Sequence, residues 1–303
     1  MNAHIIDSAR FERLSKIGFG GMGVVWKAYD RETGSVVALK ELHPHLVRNK
    51  DACRFLREIE NLEAIHHPHV VRVIGQLSLE SSMSYVMEYC PGGNLESWNS
   101  SARTTEEAWN CFLGICSGVA ALHSHARRII HRDLKPTNVL VGADGKFKIS
   151  DLGLSVSLDG AQDRVTTSNW VSRGFSPPEQ FEDMSAVIES GDVYSLGALL
   201  YWLLTKRDCA SEPSFDDDHI GDRIRPLLAC TLRRDPRIRP ANAMAILKIA
   251  KWCTASDSET RALVALESCG KCGGVALVKR EHPGQATWNC LSCGSSGSVL
   301  VPV

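Results

Sequence analysis

Residues 130–140 read IHRDLKPTNVL and carry the densest set of reactive side chains in the chain. This segment places a carboxylate (Asp133), a cation (Lys135) and an amide (Asn138) within six residues, between apolar flanks. In-line phosphoryl transfer uses such groups: a carboxylate near the attacking hydroxyl, a cation near the γ-phosphate and an amide for a metal ion. Asp151, eleven residues beyond the segment, adds a second carboxylate suited to Mg²⁺. The pattern predicts loops between short strands that are equipped for phosphate chemistry.

A glycine-rich stretch near the N-terminus, residues 17–25, fits G-x-G-x-x-G-x-V through Gly18, Gly20 and Gly23. Residues without side chains let backbone N–H groups approach phosphate oxygens. By itself the pattern describes a glycine-rich hairpin without a ligand equally well. The dinucleotide-binding version of this motif requires a helix immediately afterwards, which this sequence does not predict.

Lys40 ends a short apolar strand sequence, fifteen residues after Val25. An ammonium group on an apolar strand either extends to water or pairs with a buried anion. The amphipathic helix predicted over residues 51–65 supplies Glu58 as that anion. A Lys40–Glu58 pair would then hold the α- and β-phosphates of a nucleotide.

Two kinds of pattern divide the chain. The first 90 residues alternate β-branched and polar positions in short runs, which predicts an antiparallel sheet. After residues 91–93 (PGG) the pattern changes to long amphipathic helices, most clearly over residues 105–127 and 192–205. The sequence therefore predicts an α+β fold. The predicted boundaries are a main domain at 1–254, with lobes at about 1–90 and 91–254, a linker at 255–265 and a small module at 266–303.

Residues 11–247 resemble the eukaryotic-type (Hanks-type) serine/threonine protein kinases, whose motifs occur here in the same order. The resemblance implies the bilobal protein kinase fold, with an antiparallel β N-lobe and a helical C-lobe. It also implies transfer of the γ-phosphoryl group of Mg²⁺·ATP to a Ser or Thr hydroxyl of a protein substrate. In that family Asp133 would be the catalytic base and Lys135 would steady the γ-phosphate. Asn138 and Asp151 would hold Mg²⁺.

The same resemblance implies a set of nucleotide-binding residues. Val25, Ala38 and Leu140 would sandwich adenine, beside the gatekeeper Met87 and the hinge at residues 88–90. The full set is Ile17, Gly18, Gly20, Gly23, Val25, Ala38, Lys40, Glu58, Met87, Glu88, Cys90 and Leu140.

Departures from the family pattern concern the peptide-binding end. Ser172 and Phe175 stand where the family usually has Thr and Tyr, whereas Leu152 replaces the usual Phe after Asp151.

Arg132 is the kind of cation that pairs with a phosphorylated loop residue, and the expected sites of phosphorylation are Thr166, Thr167 and Ser168. A further expected pair is Glu179 with a buried Arg239.

Two other functions remain open. A nucleotide-binding scaffold without activity is possible for this fold, although every catalytic position is filled here. A kinase of small molecules is the second alternative. Such relatives usually lack the complete glycine loop and the A-P-E-like segment, which is found here at residues 176–179.

Four of the eleven cysteines are paired by spacing, as C-x₂-C-x₁₇-C-x₂-C. This spacing of Cys269, Cys272, Cys290 and Cys293 predicts a tetrahedral zinc site and is similar to that of a zinc ribbon. About 38 residues rarely fold without a metal or disulfides, so the predicted Zn²⁺ is structural. The module has few basic residues, which favours a protein partner over nucleic acid.

Charge and hydropathy exclude several classes of partner. Lys and Arg number 34 and Asp and Glu 35, so the formal net charge is -1 and no overall field favours nucleic acid or anionic lipid. No apolar run approaches the roughly 20 residues that span a bilayer, and the N-terminus lacks the features of a signal peptide. The other seven cysteines lie scattered in apolar or periodic segments, which predicts reduced thiols and a cytoplasmic protein.

Overall fold

The computed structural model describes residues 5–20, 23–44, 56, 59–60, 62–63, 65–79, 82–101, 103–152, 156–157, 172–183, 187–210, 213–222, 224–254, 263–282 and 285–300. The chain divides into two compact units. A strand-rich unit comprises Met1–Ser101 and Pro136–Ser155, and a helical unit comprises Ala102–Lys135 and Val156–Val303. The boundary between the units falls inside the predicted catalytic segment, between Lys135 and Pro136.

One sheet forms the body of the strand-rich unit. Its strands are β1 (Ile5–Ile6), β2 (Phe11–Phe19), β3 (Gly23–Asp30), β4 (Ser35–Leu42), β5 (Val73–Leu79) and β6 (Ser82–Glu88). The strand order is β1-β5-β6-β4-β3-β2, and all neighbours are antiparallel except β1 and β5. Alternate side chains of these strands, including Ala28, Leu39 and Val86, form its buried core. The predicted antiparallel sheet is confirmed, and the short parallel β1 is an addition to it.

A small second hairpin completes the strand-rich unit. Its strands β8 (Val139–Val141) and β9 (Phe147–Ile149) follow a 3₁₀ turn at Pro136–Asn138, and a short helix α1 (Leu95–Trp98) precedes them in the chain. Of the helix predicted over 51–65, residues 56, 59–60 and 62–63 are helical, whereas Ile65 lies beyond the helix. Ile59 and Leu62 are buried.

Among its described residues, the helical unit contains five α-helices and a two-stranded pair. The helices are α2 (Thr105–Ser124), α3 (Pro178–Glu182), α4 (Glu189–Thr205), α5 (Arg225–Thr231) and α6 (Ala243–Thr254). Helix α3 is only five residues long. The antiparallel pair consists of β7 (Ile129–Ile130) and β10 (Val156–Ser157). Thr104 and Glu107 start α2 with a reciprocal capping box. Almost every residue of α4 is buried, which identifies it as a central core helix. None of the described helices is long and apolar enough to cross a membrane.

The C-terminal module is a four-stranded antiparallel sheet in chain order: β11 (Leu263–Ser268), β12 (Val275–His282), β13 (Gln285–Cys290) and β14 (Ser296–Leu300). The residue patterns at 275–278 and 286–289 predict the two central strands. The outer strands β11 and β14 were not predicted, and in β14 Gly297 has low strand propensity. These elements confirm the predicted α+β class.

Candidate active site and candidate metal centre

The β8–β9 hairpin brings the two predicted magnesium ligands to one end. Val139 pairs with Ile149, so Asn138, just before β8, lies beside Ser150, just after β9. Ser150 donates hydrogen bonds to the carbonyl oxygen of Asn138 from its backbone N (3.0 Å) and from its Oγ (3.1 Å). Asp151 is the next residue. An amide and a carboxylate at the end of one hairpin fit Mg²⁺, which combines a few protein oxygens with substrate phosphates.

The ammonium group of Lys40 lies next to that carboxylate. Lys40 is only 8% exposed on β4, and its Nζ is 3.2 Å from Oδ1 of Asp151. Asp151 has a φ of 61°, which a non-glycine residue adopts only when its surroundings hold it there. The next residue, Leu152, is buried. The predicted partner of Lys40, Glu58, lies outside the described residues.

The predicted adenine-binding side chains lie on neighbouring strands. Ala38 of β4 pairs directly with Met87 of β6, and Gly18 of β2 pairs with Val25 of β3. Leu140 lies on β8, and Ile17 is an exposed residue of β2. Cross-strand pairing therefore brings together Ala38 and Met87, which are distant in sequence, and Gly18 and Val25, which are joined by the glycine-rich turn.

The predicted hinge is tied to its neighbours through Glu88. Its backbone N donates to the carbonyl oxygen of Arg72 (3.0 Å), and its carboxylate accepts from the backbone N of Arg72 (2.7 Å) and from Nζ of Lys148 (3.1 Å). Burial raises the pKa of the nearby Cys90 thiol to about 12. Cys90 therefore stays protonated near neutral pH.

His43, just after β4, contacts the glycine-rich turn and was not predicted from the sequence. Gly20 donates from its backbone N to the carbonyl oxygen of Gly23 (3.0 Å), while residues 21–22 lie outside the described part. His43 Nε2 lies 2.9 Å from the carbonyl oxygen of Gly20, and its ring centroid is 5.2 Å from that of Phe19. To donate to a carbonyl, Nε2 must carry a proton. The β3–β4 register, with Gly23 opposite Leu42, could have predicted this proximity.

In the helical unit, the Asp133 carboxylate accepts two hydrogen bonds. Nζ of Lys135 is 2.8 Å from Oδ2, and Oγ of Ser172 is 2.9 Å from Oδ1. Lys135 Nζ also lies 3.2 Å from Ser172 Oγ. The two predicted catalytic residues of this unit thus share a cluster with Ser172, which the sequence marked only as a departure from the family.

Ser172 is held by a tight turn. Its carbonyl oxygen accepts from the backbone N of Phe175 (3.1 Å) and of Ser176 (3.0 Å), and its own N donates to Oγ of Ser176 (3.1 Å). The ring of Phe175 packs edge-to-face on Trp202 of α4 at 6.3 Å. These contacts determine where the Ser172 hydroxyl points.

Asp192 of α4 fixes the backbone just before the predicted base. Its carboxylate is fully buried and accepts from the backbone N of His131 (2.8 Å) and of Arg132 (2.9 Å). His123 Nε2 is the third partner, at 2.9 Å. Burial acts to raise the pKa of Asp192, but the hydrogen bonds from His123 and from the backbone of His131 outweigh it, and the pKa stays below its usual value. An ionised carboxylate therefore organises the catalytic segment.

The expected Glu179–Arg239 pair is confirmed. The guanidinium of Arg239 is 1% exposed and donates to both carboxylate oxygens of Glu179, at 2.7 and 2.9 Å. It also donates to the carbonyl oxygens of Ser190, Arg233 and Arg234. Arg239 thereby joins α3 to the start of α4.

Arg132 is buried beside the predicted base. Its Nη2 donates to the carbonyl oxygen of Val187 (3.0 Å), and its own carbonyl accepts from Nε2 of Gln180 (2.8 Å). The expected phosphorylation sites at residues 166–168 lie outside the described residues, so their pairing with Arg132 stays a prediction.

The four paired cysteines converge in the C-terminal sheet. Their sulfur atoms all lie within 4.8 Å of one another. Cys269 Sγ is 3.9 Å from Cys293 Sγ, and Cys272 Sγ is 3.6 Å from Cys290 Sγ. A tetrahedron with Zn–S bonds of about 2.3 Å places its sulfurs about 3.8 Å apart. The residues therefore fit a zinc ion, and all four thiols are free of disulfide bonds.

Two similar turns, which we call knuckles, present these sulfurs. The first spans residues 269–274 and the second residues 290–295, and each contains a glycine with a φ of 73° (Gly273 and Gly294). Backbone N–H groups point at sulfur: Gly274 donates to Cys272 (3.3 Å), and Cys293 donates to Cys290 (3.3 Å). Such donors stabilise thiolates, the form that binds metal.

ATP-dependent phosphotransferases of the protein kinase class combine these elements in this order. A family model described as the protein kinase domain matches residues 11–267. The chain belongs to the protein kinase family, as the motifs predicted, and members of this family use ATP and Mg²⁺. The match ends before Cys269.

Two relatives illustrate the similarity. The chain is 33% identical over 204 residues to a probable serine/threonine-protein kinase PknB of Lactococcus lactis subsp. lactis (strain IL1403), covering 66% of this chain and 32% of that protein. It is 29% identical over 274 residues to the leucine-rich repeat receptor protein kinase EMS1 of Arabidopsis thaliana, covering 83% of this chain and 22% of that protein. The chain thus spans a third or less of the length of these relatives.

Proposed function

We propose that this protein is a serine/threonine protein kinase that transfers the γ-phosphoryl group of Mg²⁺·ATP to protein hydroxyls. The observation that carries the proposal is the cluster in which Asp133 accepts hydrogen bonds from Lys135 and Ser172. A carboxylate oriented in this way can receive a hydroxyl proton, and an adjacent ammonium group can balance phosphate charge. The name of the bacterial relative supports the same specificity.

In the proposed reaction, the oxygen of the acceptor hydroxyl bonds to the γ-phosphorus as the bond to the bridging oxygen of ADP breaks. Asp133 accepts the hydroxyl proton, and Lys135 stabilises charge on the transferred group. Asn138 and Asp151 would hold Mg²⁺, which neutralises charge on the phosphate oxygens when bound. Lys40, beside Asp151, would contact the α- and β-phosphates.

The strand-rich unit would bind the nucleotide. Backbone N–H groups of the glycine-rich turn would contact its phosphates, and His43 would hold that turn through the Gly20 carbonyl. Ala38, Met87 and Leu140 offer apolar surface for adenine. Glu88 uses its carboxylate to bind Arg72 and Lys148, so we assign recognition of the adenine edge to the backbone of residues 88–90.

Radiolabelled ATP with generic protein acceptors tests the proposal. Asp133→Asn should lower kcat by on the order of 10² or more, because it removes the proton acceptor. Asp222→Asn, an exposed carboxylate of the same unit, is the matched control. Equal turnover in wild type and Asp133→Asn would refute the assignment. If the wild type binds nucleotide but transfers no phosphate, the result would favour a nucleotide-binding scaffold. If it transfers phosphate only to small molecules, the result would favour a small-molecule kinase.

We also propose that Cys269, Cys272, Cys290 and Cys293 hold one structural Zn²⁺, because four thiolates leave no open coordination position. Metal analysis of the full chain should give about one zinc per chain, and Cys290→Ser should abolish it. Absence of zinc, or disulfides between these cysteines in reducing buffer, would contradict the assignment.

The free thiols of the ten described cysteines agree with a reducing compartment such as the cytoplasm. Contact of the module with a protein partner stays a prediction.

A further inference from the structure

The second knuckle packs against the segment that precedes α6. The backbone N of Ala241 donates to the carbonyl oxygen of Leu291 at 2.8 Å, and the N of Leu291 donates to the carbonyl oxygen of Val275 at 2.7 Å. Leu291 is 7% exposed, although it lies in a short turn between Cys290 and Cys293. An apolar side chain is buried in such a turn only when another surface covers it.

The first knuckle contacts the same segment. A Cβ built on Gly273 would lie 3.8 Å from Cγ2 of Ile238, which is ordinary van der Waals distance. Both knuckles therefore lie against residues 238–241. This segment contains Arg239, the buried partner of Glu179.

Hydrogen bonds continue from this segment to the catalytic loop. The backbone N of Ala243, two residues after Ala241, donates to Nδ1 of His123 at 3.2 Å. Because Nδ1 accepts this bond, Nε2 carries the proton that His123 donates to Asp192. Asp192 in turn holds the backbone of His131 and Arg132, which immediately precede Asp133.

A chain of contacts transmits an effect only when one of its elements has two states. Metal binding gives the knuckle two states, because free thiolates repel one another whereas bound ones are fixed in a tetrahedron. Without the metal, the turn that buries Leu291 and presents its carbonyl to Ala241 loses its main restraint.

We propose that the metal-bound second knuckle, through Leu291, is a positioning element for the catalytic loop. The inference rests on the proposed zinc site and kinase activity, and it changes the expected role of the module. The module is a brace of the helical unit, and its removal weakens the support of Asp133. Leu291 acts through Ala241, His123 and Asp192 and touches no reacting atom.

The test uses the full chain with Leu291→Asp, which leaves all four cysteines in place. We expect about one zinc per chain, as in wild type, but at least tenfold faster hydrogen exchange at residues 123–133. The kcat should fall about tenfold while the KM for ATP stays unchanged, because the strand-rich unit is untouched. Leu291→Met should keep both the hydrogen exchange rate and kcat at their wild-type values. Ser298→Asp places the same charge on an exposed position of β14 and should behave as wild type.

Chelation supplies a second arm. Removing the metal from wild type should increase hydrogen exchange at residues 123–133 as Leu291→Asp does. Removing the metal from the Leu291→Asp variant should increase that exchange little further. If Leu291→Asp does not fold, Ala241→Pro removes the N–H donor and leaves the module unaltered. Unchanged exchange and kcat in a zinc-loaded Leu291→Asp or Ala241→Pro chain would overturn the inference. A wild-type chain that holds no zinc would overturn both the metal site and the role of the metal in this inference. A wild-type chain that holds zinc but has no kinase activity would contradict only the proposed reaction, because hydrogen exchange is measured independently of activity.

Discussion

Ser172 donates a hydrogen bond from its hydroxyl to the carboxylate of Asp133 across 39 residues of sequence, at 2.9 Å. The same hydroxyl lies 3.2 Å from Lys135 Nζ, so each of the three groups contacts the other two. The family usually has Thr at this position, and Ser172 keeps the hydroxyl while losing the methyl group. The departure noted in the sequence therefore preserves the polar contact.

Removing this hydroxyl should impair catalysis. We expect Ser172→Ala to lower kcat by about tenfold or more, because a hydrogen bond to a charged group is lost and the Asp133 carboxylate is less well oriented. Ser172→Thr should retain most of the activity. Steady-state kinetics with a peptide substrate measures both, with Ser214→Ala in an exposed turn as the control. Equal kcat values for Ser172→Ala and wild type would exclude a role for the hydroxyl.

His43 should affect nucleotide binding more than turnover. His43→Ala removes the hydrogen bond to Gly20 and the ring contact with Phe19, so we expect the KM for ATP to rise by up to about tenfold. The kcat at saturating ATP should change little. The KM of His43→Gln, whose side chain can still donate a hydrogen bond, should lie between those of wild type and His43→Ala. The control is His219→Ala, an exposed histidine of the helical unit, and an unchanged KM in His43→Ala would refute this role.

The buried Glu179–Arg239 pair should contribute to stability. Glu179→Gln leaves an uncompensated charge on a guanidinium that is almost inaccessible, and we expect a loss of about 3 kcal/mol in the free energy of unfolding. Urea denaturation measures this change. Asp235→Asn is a matched control, because Asp235 pairs with the exposed Arg237 nearby and its loss should matter far less. A similar small change in both variants would contradict the prediction.

Asp30 should make the stability of the strand-rich unit depend on pH. The hydrogen bond from the Arg10 guanidinium lowers the pKa of this buried carboxyl well below its usual range. A depressed folded-state pKa contributes stability that is fully present above the unfolded-state pKa of about 3.9 and is lost as pH falls below it.

The difference in unfolding free energy between wild type and Asp30→Asn should therefore be largest near neutral pH and should shrink below about pH 4. Urea titrations at several pH values measure it, with Asp222→Asn for comparison. A difference that stays constant down to acidic pH would show that ionisation of Asp30 is not the cause.

Much of the chemistry could be predicted because it is local in sequence. Asp133, Lys135 and Asn138 lie within six residues, and alternation of apolar and polar residues predicted the antiparallel sheet of the first 90 residues. The spacing of the cysteines predicted a four-sulfur cluster, which the structure contains. In each case the pattern acts over a few residues, so the backbone geometry of one turn or strand suffices to specify it.

The sequence by itself determined the kinase family, the α+β class and the types of group available for catalysis. Only the tertiary structure decided which distant groups meet: Lys40 with Asp151, His123 with Asp192, Ser172 with Asp133 and Leu291 with Ala241. These pairs join different elements, and no local periodicity encodes them. They form because the packing of whole strands, helices and turns, each driven by burial of its apolar face, brings those side chains and backbone groups within hydrogen-bonding distance.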